Sequence, residues 1–93
     1  DFARLGVPTT WIETQQATRV CTTLLDRTSG HSTELVEPSP ALTPAELQAW
    51  RAAYRDAATR AELVVLTGSL PRDTPVDFYA ELLASTRVPV LLD

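Results

Sequence analysis

Two short stretches carry residue types suited to contacting a ligand. The first is Gly68-Ser69, just past the apolar run Leu63-Val64-Val65-Leu66. In open parallel sheets, ligands bind at the carboxyl ends of strands. Glycine there lets the backbone approach a ligand closely, and serine adds a hydroxyl and an N–H. The same pair also suits a plain strand-to-helix turn, with Gly for conformation and Ser for a local hydrogen bond. The second stretch is Arg19, set within the run Thr18-Arg19-Val20-Cys21-Thr22-Thr23-Leu24-Leu25. A guanidinium there is either a snorkelling edge residue that discourages aggregation or a bidentate clamp for phosphate or carboxylate.

Other chemically capable residues read as ordinary. His31 is the single histidine and stands in a turn; Cys21 has no metal-type partner nearby, so a zinc site is excluded. Cys21 reads as a small buried apolar group, since no base stands at a spacing that would make it a nucleophile. Glu34 and Glu37 fit a solvated strand face better than a catalytic carboxylate pair. Trp11 and Trp50 are assigned to packing. The common nucleotide-loop patterns GxGxxG and GxxxxGK[ST] do not occur.

The elements that must position these residues follow from pattern. Phe2 to Leu5 reads as the last turn of a helix capped by Gly6. Thr9 to Thr14 is β-branched and aromatic, a strand by composition. Residues 18–37 read as a β-hairpin turning at Arg27-Thr28-Ser29-Gly30-His31, with neither face cleanly polar. Such a hairpin needs partners, because two isolated strands are marginal in water. Pro38-Ser39-Pro40 is a linker. Thr43-Pro44-Ala45-Glu46 combines a cap, a first-turn proline and a capping box. The helix it opens should run to about Arg60, with Leu47, Trp50, Tyr54 and Ala57 or Ala58 on one face and Arg51, Arg55 and Arg60 mostly on the other.

Residues 62–67 read as a strand buried on both faces. Thr74-Pro75 reads as a second cap-plus-proline start, for a helix burying Phe78, Leu82 and Leu83. Val88 to Leu92 is another buried-type strand, and Pro89 near its start costs one ladder donor. Residues 62–92 therefore predict a βαβ unit, and the fold class is α/β. Two or three parallel strands would leave their edges uncovered. The chain also starts without Met and stops at Leu92-Asp93. It reads as a middle segment of something longer.

Composition sets outer limits. The 93 residues carry 8 Lys+Arg and 12 Asp+Glu, a net charge of −4. That length holds one small domain at most, and the acidic balance opposes a general nucleic-acid binder. No apolar run approaches the roughly 20 residues needed to cross a bilayer, so no membrane role is expected. The lone cysteine and the absence of a signal-peptide pattern suit a reducing compartment, and a cytoplasmic location is expected.

The order of segments resembles a known family. Ala17-Thr18-Arg19, a hairpin, Glu34-Leu35-Val36-Glu37-Pro38, a helix, Val64-Val65-Leu66-Thr67-Gly68-Ser69-Leu70-Pro71 and Val90-Leu91-Leu92-Asp93 together resemble the PfkB, or ribokinase-like, carbohydrate kinases. The nearest branch is that of 1-phosphofructokinase, tagatose-6-phosphate kinase and the minor 6-phosphofructokinase, and the resemblance covers nearly the whole chain. It implies a three-layer α/β/α fold, with residues 9–37 as lid-type β segment and 43–93 as part of the α/β core. It implies that Arg19 holds a sugar phosphate and that Gly68 and Ser69 contact the same substrate. Cys21 stands where the family usually has Asn, so any additional contact there is altered. Asp93 matches an aspartate that influences the magnesium site.

The same resemblance places the glycine-rich sugar segment before residue 1, and the Asn-x-x-Glu and Gly-Ala-Gly-Asp motifs after residue 93. The implied activity is ATP- and Mg²⁺-dependent phosphoryl transfer to a hydroxyl of fructose 1-phosphate, fructose 6-phosphate or tagatose 6-phosphate. No residue of this chain would itself be catalytic, and the segment alone should be inactive. The implied assembly is a homodimer through the lid sheet. The alternatives are a non-catalytic β-lid interaction module, or a kinase whose acceptor is an unphosphorylated sugar or nucleoside.

Overall fold

The computed structural model describes residues 2–93 and contains two small sheets and two helices, an α/β arrangement. A short 3-10 turn at Phe2–Leu5 ends at Gly6, whose φ of +68° is the left-handed value expected of a terminating glycine. Residues 7–20 then run without regular structure. The strand expected over Thr9 to Thr14 does not form. Its residue types favour extended backbone, but among the described residues no second strand lies alongside to complete a ladder. Trp11, expected to pack, is 73% exposed and meets only the Phe2 ring among aromatic partners, at 6.1 Å between centroids.

The hairpin consists of β1 (Cys21–Leu25) and β2 (Ser32–Val36), paired antiparallel with Cys21 opposite Val36 and Leu25 opposite Ser32. Its ladder is shorter than the 18–37 read from pattern, although Glu37 N–H still donates to Val20 O at 3.3 Å. The connection folds around Asp26. Its carboxylate accepts from Thr28 N–H at 2.8 Å and from Ser29 Oγ at 2.6 Å. Gly30, at φ +75°, donates its N–H to Asp26 O. All ten strand residues are exposed. Cys21 is therefore an exposed thiol and not the buried apolar group expected from its neighbours. The hairpin projects from the core, so neither of its faces is covered.

Helix α1 (Pro44–Ala58) starts as its sequence dictates. Glu46 N–H donates to Thr43 Oγ1 at 3.2 Å, and Thr43 N–H donates to Glu46 Oε2 at 2.6 Å. Strands β3 (Val64–Leu66) and β4 (Val90–Leu92) pair in parallel, Val64 beside Val90 and Leu66 beside Leu92. Helix α2 (Phe78–Ser85) makes the crossover between them. The core is Leu66, Phe78 and Leu82, with Leu47, Trp50, Tyr54, Val64, Leu70, Tyr79 and Val90 packed around it.

Three expectations need correction here. Strands β3 and β4 are not buried on both faces: Val64 and Leu66 turn inward, but Val65 and Leu91 remain more than half exposed. Both helices pack on one side of this two-stranded sheet, and none of the described residues covers the other. Helix α2 begins at Phe78, with Asp77 at its cap position and no side-chain capping bond. Thr74 and Pro75 lie in the preceding turn, after Asp73 takes a left-handed φ of +58°. Arg51, expected on the solvated face of α1, reaches back over the core instead. Its guanidinium lies 5.0 Å from the Phe78 ring centroid.

Candidate functional site

The carboxyl ends of β3 and β4 lie side by side, and the polar residues just beyond them form one edge. Asp93 N–H continues the ladder by donating to Leu66 O at 3.0 Å. Thr67 Oγ1 donates to Asp93 Oδ2 at 3.3 Å. Gly68 follows with a φ of +100°, and a Cβ added there would meet no atom within 4 Å. Backbone conformation, not crowding, is thus what requires glycine at this turn. Its carbonyl is fixed by Tyr79, whose hydroxyl donates to Gly68 O at 2.7 Å. Ser69 comes next, exposed and bordering a cavity of about 250 Å³ whose walls include Leu47, Trp50, Leu70, Phe78 and Tyr79.

Arg19 arrives at this edge from the other sheet's approach. It stands two residues before β1, outside the ladder, and its Nη2 donates to Ser69 Oγ at 3.1 Å across 50 residues of sequence. The backbone around Arg19 is held at two places. Val20 N–H donates to Glu37 Oε2 at 2.9 Å, so Glu37 closes the base of the hairpin instead of lying free on a solvated face. Gln15 N–H donates to Glu46 Oε1 at 2.6 Å, so the carboxylate that caps α1 also anchors the segment leading to Arg19. The N–H groups of Thr43 and then Gln15 hold the Glu46 carboxyl below its usual 4.5.

The arrangement can receive an anion. One Arg19 nitrogen is committed to a neutral hydroxyl, which leaves the rest of the guanidinium fork for an incoming oxyanion. Ser69 offers a hydroxyl beside it. Gly68, Ser69 and Arg19 thus come together, whereas Cys21 sits at the start of β1 opposite Val36 and has no bond to the group. His31 and Glu34 lie exposed on the hairpin. Among the described residues, no three His, Cys, Asp or Glu side chains converge as a metal-binding group. Asp93 stands beside Thr67 as a single carboxylate, which fits at most one ligand of a magnesium ion otherwise held by water and phosphate.

Sequence reasoning passed over Thr67, Tyr79 and Glu46 as members of this region. A tyrosine opening the crossover helix after a glycine turn is the one local signal for Tyr79. The Glu46 contact with Gln15 spans 31 residues and has no local signal.

No protein-family model matches the chain. Seven curated relatives do. Two of them are named ATP-dependent 6-phosphofructokinase isozyme 2, from Mycobacterium tuberculosis strains CDC 1551 / Oshkosh and ATCC 25618 / H37Rv. Each is 33% identical over 91 residues, covering 95% of this chain and 27% of the relative. The chain spans about a quarter of the length of these two curated relatives. Over nearly all of its residues, then, it is similar to one stretch of a phosphofructokinase.

Proposed function

We propose that this chain belongs to an ATP-dependent sugar-phosphate kinase of the PfkB, ribokinase-like family, and that it supplies the clamp for the acceptor's phosphate. The observation that carries the reading is the 3.1 Å contact of Arg19 with Ser69, which joins a cation to the turn at the end of a parallel strand. The likeness to phosphofructokinases supports the same class.

Phosphoryl transfer requires a positioned acceptor hydroxyl, a base for its proton and positive charge around the migrating group. The residues here serve the first requirement. Arg19 grips the distal phosphate of a ketohexose phosphate, Ser69 donates its hydroxyl to the same oxyanion, and Gly68 allows the backbone close to the sugar. ATP supplies the phosphoryl group and Mg²⁺ offsets its charge when bound. The hairpin β1–β2 acts as lid, and a second copy of the lid covers its exposed apolar face in a cytoplasmic homodimer.

The test is Arg19→Ala in the whole protein. Losing a charge-assisted contact should raise KM for fructose 6-phosphate about ten- to hundredfold and leave KM for ATP unchanged. Equal losses for both substrates, or no loss for either, would overturn the clamp.

A further inference from the structure

We infer that Tyr79 is a positioning residue for the phosphate clamp, acting through the carbonyl of Gly68; this rests on the reading of Arg19 and Ser69 as that clamp. Three observations converge. Tyr79 occupies the first turn of α2, directly after Phe78, which is only 3% exposed. The start of the helix is therefore anchored in the core. Its hydroxyl donates to Gly68 O at 2.7 Å, 11 residues back along the chain. Gly68 itself holds a φ of +100°, a conformation with many alternatives open to a residue lacking a side chain.

A glycine turn with nothing within 4 Å of its Cβ position has no steric wall to define its carbonyl direction. The Tyr79 hydroxyl supplies that definition. The peptide fixed by this bond joins Gly68 to Ser69, so fixing its carbonyl also fixes its N–H, which belongs to Ser69. That N–H is thereby held in one orientation on the residue whose Oγ meets Arg19. Tyr79 touches neither Arg19 nor Ser69 by hydrogen bond, and it acts only through the turn. The rigid core is thus connected to the ligand-facing edge by one side chain.

The experiment is a double-mutant cycle in the whole protein with Tyr79→Phe and Arg19→Ala, assayed with fructose 6-phosphate and ATP. Tyr79→Phe keeps the ring that lies 6.4 Å from Phe78 and removes only the hydroxyl. The expected result is a rise of about two- to tenfold in KM for the sugar phosphate, with kcat and KM for ATP unchanged. In the Arg19→Ala background the same change should add almost nothing, because the clamp it serves is gone. A fully additive effect, or equal changes in KM for both substrates, would make Tyr79 a general structural residue and overturn the inference. An effect of Arg19→Ala with none from Tyr79→Phe would overturn the inference alone. No effect of Arg19→Ala would overturn the clamp, and Tyr79's role with it.

Discussion

Arg51 and Glu81 meet side-on: Arg51 Nε lies 2.9 Å from Glu81 Oε1 and Nη2 lies 2.9 Å from Oε2. This paired donation joins α1 to α2 above the Phe78 ring, and Arg55 approaches the same carboxylate at 3.8 Å. The Arg51 hydrogen bond, with the charges of Arg51 and Arg55, holds the Glu81 carboxyl below its usual 4.5. A carboxyl depressed in the fold binds its proton more readily in the unfolded chain. Its contribution is present above the usual value and is lost as pH falls through the depressed one. The melting temperature should therefore drop on acidification below about pH 4.5. Glu81→Gln should flatten that acid limb; an unchanged limb would mean that other carboxylates set it.

Asp73 at φ +58° is the one described non-glycine residue in left-handed backbone. Asp tolerates this region better than most residues, but glycine does so without steric cost. Asp73→Gly should be neutral to stabilising by about 0.5 kcal/mol, and Asp73→Val should cost more than about 1 kcal/mol. Urea unfolding of the two variants checks the sign of each.

Leu82 is 2% exposed in a core of three buried side chains among the described residues. Leu82→Ala should cost about 2–5 kcal/mol. With so few buried neighbours to share the load, that loss is enough to abolish cooperative unfolding, which calorimetry would read as a missing transition.

The two Thr-Pro pairs show how far local sequence reaches. At Thr43-Pro44 the residue three places on is Glu46, long enough to return a bond to the cap, and the helix starts there. At Thr74-Pro75 the corresponding residue is Asp77, one methylene shorter, and the helix starts only at Phe78. The parallel strands and the hairpin were legible because runs of apolar and β-branched residues are local. The failure at Thr9 to Thr14 has the converse cause: strand propensity needs a neighbour, and composition does not state whether one exists. The type of Arg19 suggested anion chemistry and that of Ser69 a ligand contact, but their meeting across 50 residues was implied by family resemblance and not by any period.

Arg19→Lys separates charge from shape. Lysine keeps the charge but lacks the planar fork that meets two oxygens at once. Affinity for the sugar phosphate should return only partway from the Arg19→Ala level, measured as KM at fixed ATP. Full recovery would mean that a point charge suffices.

The carboxylate of Glu46 serves two masters at once, one oxygen on the Thr43 amide and the other on the Gln15 amide. Protonation or amidation of this single group would loosen the first turn of a helix and the strap bearing the guanidinium in one event. Acid would thus slacken the mouth of the protein and its frame together, without any histidine taking part.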